Sequence, residues 1–163
     1  KNPLRWDIAR FYSDEYAVGE KAIDIVKKDL GVTFEIDEAA FIALHFVNAQ
    51  LEQKDNLAYE IAEITKGIEA VIKTYYRTEF DEDSLDYYRF ITHVKFFAQR
   101  LLKGEHYDDE DDELLTILKK KYPSEYACAR KIGEYVEANY QYELQSTELL
   151  YLTAHIRRIT KNL

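Results

Sequence analysis

Three of the four histidines in this chain of 163 residues stand in the same local setting. Glu38 precedes His45, Asp86 precedes His93 and Glu148 precedes His155, each by seven residues. Seven residues is two helical turns, so on a helix the acid and the imidazole share a face. An imidazole with its ordinary pKa of about 6.5 offers a neutral nitrogen near neutral pH. Such a nitrogen can ligate a metal, move a proton or attack an activated phosphoryl group. The fourth histidine, His106, lies in the acidic stretch 104–113 and reads as an exposed bystander.

Metal binding fits the spacing poorly. Two turns separate acid and ring by about 10.5 Å along a helix axis, and neither H-E-x-x-H nor Glu-x-x-His occurs. Hydrolysis lacks its motifs as well: there is no G-x-S-x-G, no Gly-rich phosphate loop and no histidine near Cys128 in sequence. Glu38, Asp86 and Glu148 read as helix-start carboxylates stabilised by the helix dipole. No catalytic residue, metal or cofactor is therefore expected.

Phosphoryl acceptance fits better, because a phosphate on a ring nitrogen adds strong negative charge that arginine can meet. Arg89 lies four residues before His93 and Arg158 three residues after His155, each one turn away on the same side. His45 has no arginine or lysine within one turn; Phe41, Ile42, Asn48 and Ala49 flank it. The plainer alternative is three half-buried rings with one hydrogen bond each, and two arginines that are ordinary surface charge. Recurrence of one design at three positions favours a shared chemical role.

The elements that must present these rings are helices. Apolar residues recur at helical spacing through Trp6 to Phe11, Ala17 to Leu30, Ala39 to Ala49, Leu57 to Tyr76, Leu85 to Leu102, Leu114 to Leu118, Tyr126 to Tyr140 and Leu149 to Ile159. Five Gly, two Pro and 33% charged residues agree with few turns and solvated helix faces, so an all-α fold is expected. Asp37, Asp83 or Ser84, and Ser146 or Thr147 are the expected N-caps. The polar stretch 53–56 is the natural boundary, dividing the chain into 1–55 and 56–163.

An internal repeat runs across that boundary. Tyr12 to His45 aligns without gaps on Tyr122 to His155 at a constant offset of 110, with eight identities in 34 positions. The two histidines meet, as do Glu38 and Glu148, and Phe41, Ile42 and Phe46 meet Tyr151, Leu152 and Ile156. Two tandem copies of one helical module are implied, the first shorter than the second. Its uncovered apolar faces must pack on other chain.

The formal net charge of -9 argues against direct nucleic-acid binding. The single cysteine, Cys128, fits a buried structural thiol in a reducing compartment. No run approaches the ~20 apolar residues of a membrane span, and no signal-peptide pattern occurs. A cytoplasmic protein without membrane insertion is expected. Lys1 is not a natural start, so the chain reads as a fragment.

The strings D-E-A-A-F-I-A-L-H-F-V-N-A-Q (37–50), Y-R-F-I-T-H-V-K-F-F-A-Q-R-L (88–101) and E-L-L-Y-L-T-A-H-I-R-R-I (148–159) closely resemble the BglG/LicT/SacY group of bacterial transcription antiterminators. The opening N-P-L-R-W-D-I-A-R-F-Y-S-D-E-Y-A-V-G (2–19) does so too, and the likeness covers essentially the whole chain. It implies an RNA-binding domain followed by two phosphotransferase-system regulation domains, each with two phosphorylatable histidines. By that resemblance residues 1–55 are the C-terminal half of the first regulation domain and 56–163 the second. His45 is then the second histidine of the first domain, and His93 and His155 are the pair of the second.

The resemblance further implies that phosphorylated HPr modifies His93 and His155 and favours an active homodimer. The sugar-specific enzyme II acts negatively through the domain of His45, and RNA is bound only by the domain preceding this chain. The sequence near His45 is most similar to the β-glucoside-responsive members. Two rivals remain: a histidine phosphotransfer module, which uses one exposed histidine rather than three, and a purely structural helical dimerisation module.

Overall fold

The computed structural model describes residues 5–50, 57–106 and 112–163. Among them are eight helices and no strand: α1 Arg5–Phe11, α2 Ser13–Leu30, α3 Asp37–Gln50, α4 Leu57–Tyr76, α5 Leu85–Lys103, α6 Asp112–Lys121, α7 Pro123–Tyr140 and α8 Ser146–Thr160. The all-α expectation holds. The chain forms two compact units, Lys1–Lys66 and Gly67–Leu163, and the division falls inside α4. The boundary expected at 55/56 lies outside the described residues.

In the first unit α2 packs along α3, and α1 touches both. Small side chains make this close approach possible. A Cβ added at Gly19 of α2 would collide with the Ala39 carbonyl of α3, and Ala39, Ala40 and Ala43 have no exposed surface. The start of α3 is fastened by an ion pair of 3.4 Å between Asp37 and Arg5.

In the second unit α5 and α8 run antiparallel. Asp86, in the first turn of α5, pairs with Lys161 just past α8 at 2.9 Å. Phe97, towards the other end of α5, meets Tyr142 just before α8, with ring centroids 5.9 Å apart. α6 and α7 pack against α8 and each other. Tyr87, Phe90, Val94 and Phe97 of α5, Leu152 and Ile156 of α8, and Ile132 and Val136 of α7 are all buried, and α8 packs against both α5 and α7. Burying each such side chain contributes about 1.5–3 kcal/mol relative to leaving it in water.

The repeat is visible in the backbone of each unit. Tyr12 and Tyr122, which precede α2 and α7, share φ -129° with ψ 54° and 65°. The C-caps Gly31 and Gln141 are both left-handed, and each donates its N–H to a carbonyl four residues earlier at 3.0 Å. Glycine adopts φ 66° without a side-chain penalty; Gln141 holds φ 52° at some strain.

Caps follow the expectation at α5 and depart from it at α8. Ser84 accepts the Tyr87 N–H at 3.1 Å, as a serine N-cap should. At α8 the cap is Gln145 rather than Ser146 or Thr147. Glu148 reaches back to accept the Gln145 N–H at 3.0 Å, which closes the capping box one residue earlier and leaves the Ser146 hydroxyl to bond Asp112 at 2.5 Å. Cys128 is fully buried, and its thiol is pushed up to about 12 by burial and by Glu125, so it is an inert core thiol. No helix among the described residues is long and apolar enough to cross a membrane.

Candidate functional site

The antiparallel seam of α5 and α8 brings His93 and His155 together. Their ring centroids are 4.8 Å apart with 30° between the planes. Tyr151, one turn before His155, sits 5.3 Å from the His93 ring, and Phe90, one turn before His93, sits 6.5 Å from the His155 ring. Each histidine is thus walled by the aromatic neighbour of the other. Both rings are half-buried.

The electrostatics keep both rings neutral. Burial first, then the His155 ring and Arg100, push His93 down to about 4. Burial and Arg158 lower His155, and Asp86 opposes them. A neutral imidazole retains a lone pair, which is the nucleophilic form. In His155 the Nδ1 atom is buried and has no hydrogen-bond partner among the described residues, so Nε2 is the ring nitrogen that an incoming group can approach.

The three acids that precede the histidines turn out to do different things. Glu148 is fully buried, accepting from the Tyr142 hydroxyl at 2.6 Å and from the Gln145 N–H at 3.0 Å. Its task is to hold the start of α8. Asp86 serves the histidine of the facing helix rather than that of its own, since the antiparallel seam brings its charge to His155. Glu38 is exposed at the start of α3.

Arg158 is exposed beside His155, where the one-turn spacing put it. Arg89 is exposed too, and it bears on the Asp86 carboxylate; the arginine that bears on His93 is Arg100. Sequence reasoning passed over Arg100, although it follows His93 by the same seven residues by which Asp86 precedes it. Searching two turns in both directions would have found it. Tyr151 matches Phe41 in the repeat as an apolar residue; its contact with His93 depends on how two helices cross.

His45 belongs to the other unit and is exposed on α3. Phe46 beside it is 47% exposed, whereas its repeat equivalent Ile156 is 0% exposed in the α5–α8 seam. Among the described residues the α3 face around His45 is exposed, where α5 covers the equivalent face of α8. His106 is exposed, and it stacks on Tyr142 with centroids 4.9 Å apart and 8° between the planes. It lies off the paired histidines.

The family profile described as PRD domain matches residues 1–49 and 66–159. The chain belongs to the PRD domain family. This PRD chain is 47% identical over 161 residues to the transcription antiterminator LicT of Bacillus subtilis (strain 168), covering 99% of the chain and 58% of that protein. It is 40% identical over 163 residues to a beta-glucoside operon antiterminator of Dickeya chrysanthemi, covering all of the chain and 58% of the relative. Protein GlcT of Staphylococcus aureus (strain JH9) is 32% identical over 166 residues, covering 99% of the chain and 57% of that protein. The PRD chain therefore spans somewhat more than half the length of these relatives. Their likeness agrees with the group to which the histidine strings pointed.

Proposed function

We propose that this chain is the regulatory part of a bacterial transcription antiterminator, and that its histidines accept phosphoryl groups from the sugar phosphotransferase system. Phosphorylated HPr donates to His93 and His155. The sugar-specific enzyme II acts through the unit that carries His45. The chain is a substrate of phosphoryl transfer rather than an enzyme, it works as a homodimer, and RNA is bound by a separate domain of the full protein. Residues 1–55 belong to one regulation domain and residues 56–163 to a second. The antiterminator names of two relatives and the two stretches of the family match support this reading.

The observation that carries it is the pairing of His93 and His155 as neutral rings 4.8 Å apart, with Arg158 and Arg100 bearing on them. A neutral Nε2 attacks the phosphorus of a donor phosphohistidine; the new N–P bond forms as the donor's N–P bond breaks and the donor imidazole leaves. The added charge, about -1.5 to -2, then lies beside arginines that had no phosphate to hold. A change of that size on a packed seam shifts the preference between alternative packings.

Incubation of the chain with enzyme I, HPr and phosphoenolpyruvate, followed by mass mapping, tests it. Phosphoryl groups on His93 and His155 are the expected result. Their absence from both would overturn the HPr assignment and favour a purely structural dimerisation module.

A further inference from the structure

Beside His155 lies a corner where three cations share one carboxylate. Asp86 pairs directly with Lys161 at 2.9 Å, across 75 residues of sequence, and the charges of Arg89 and Arg158 bear on the same carboxylate. A cavity of about 180 Å³ opens there, with Ser84, Asp86, Arg158 and Lys161 in its wall. In the first turn of α5, Asp86 also lies at the positive end of a helix dipole. The hydrogen bond from Lys161, together with the charges of Lys161, Arg89 and Arg158, holds its carboxyl below the usual carboxylate range. The corner is thus an anion site occupied by a residue of the chain itself.

We infer that Asp86 is the resting counter-ion of this corner and that a phosphoryl group on His155 displaces it, opening the Asp86–Lys161 clip between the start of α5 and the end of α8. The inference rests on phosphoryl acceptance at His155. Arg158 is one turn from His155 on the helix that carries the phosphate, and Lys161 lies just past the C-terminal end of that helix. A phosphoryl group brings roughly twice the charge of a carboxylate and three acceptor oxygens, so it takes the better share of Arg158 and Lys161. The same charge repels Asp86, which bears on His155 from the facing helix. Attraction on α8 and repulsion of α5 both act to part the clip. Asp86 is a positioning residue in this scheme: it keeps the cations gathered until the phosphate arrives.

Hydrogen exchange on the full chain at neutral pH, with and without phosphorylation by enzyme I, HPr and phosphoenolpyruvate, reads the clip directly. Parting an exposed pair of this kind is a small change, so exchange at residues 85–88 and 158–162 is expected to rise about two- to five-fold on phosphorylation. In Asp86→Asn and Lys161→Gln the rise is present before modification, and phosphorylation adds none. Asp86→Asn also raises the share of His155 modified at a fixed ratio of donor, because the competing anion is gone. Melting curves confirm that both variants remain folded. Phosphate mapped to His155 with unchanged exchange at both segments overturns the inference and leaves the proposed function standing; an unmodified His155 overturns both.

Discussion

His93 and His155 face one another at 4.8 Å because α5 and α8 run antiparallel, with Asp86 tied to Lys161 at one end of the seam and Phe97 against Tyr142 at the other. Two rings 62 residues apart in sequence become one electrostatic unit. The His155 ring disfavours a proton on His93, and burial disfavours it on both.

Stability should fall on mild acidification. The unfolded chain takes up a proton at His93 near its ordinary 6.5, whereas the folded chain resists it down to about 4. Between these values the unfolded state binds more protons, so stability is full above pH 6.5 and declines as pH drops through the window. His155 adds in the same direction. Urea denaturation from pH 7.5 to 4.5 should show a loss on the order of 2–3 kcal/mol, flattened in His93→Gln; a loss unchanged in that variant would assign the effect elsewhere.

The modified atom of His155 should be Nε2. Nδ1 is buried and without a partner, so it has no open approach for a donor protein. Nitrogen NMR of the phosphorylated chain separates the two isomers, and phosphate on Nδ1 would contradict the geometry.

Glu148 and Glu38 occupy equivalent repeat positions and should respond unequally to alanine. Loss of Glu148 removes the nearer acceptor of the Tyr142 hydroxyl and the acceptor of the Gln145 N–H, at a cost of about 2–3 kcal/mol. Loss of exposed Glu38 should stay within about 0.5 kcal/mol. Paired denaturation curves decide this, and equal costs would rule out the capping role.

Tyr87→Phe should destabilise the start of α5. The Tyr87 hydroxyl donates to the buried carboxylate of Glu69 on α4, which Lys73 also meets at 3.4 Å. Removing the hydroxyl takes one donor from Glu69 Oε1, which keeps Lys73 at 3.4 Å, at a cost of about 1 kcal/mol. Glu69→Gln combined with Tyr87→Phe should cost less than the two single changes added together. Strict additivity would show that the pair is not coupled.

Much of the architecture was legible from local rules. Helical spacing of apolar residues and Ser84 as a cap both depend on interactions within a few residues. The cap of α8 was misplaced by one residue because Gln145 is a weak cap by itself; it is chosen by Glu148, whose carboxylate is also held by Tyr142. The expected pairing of each acid with the histidine on its own helix met the same limit. A shared helix face says that two side chains point the same way, and the neighbouring helix decides what they meet.

The sequence by itself determined the helices, the repeat at offset 110, and the three histidines with their acids and two of their arginines, because each is a matter of residue type and spacing along one chain. Only the tertiary structure decided that His93 and His155 are one site, that Arg100 and Tyr151 belong to it, and that Asp86 answers to His155 and Lys161. Those relationships cross between antiparallel helices, and their distances are set by how the apolar faces of α5 and α8 interleave, which no spacing within either helix records.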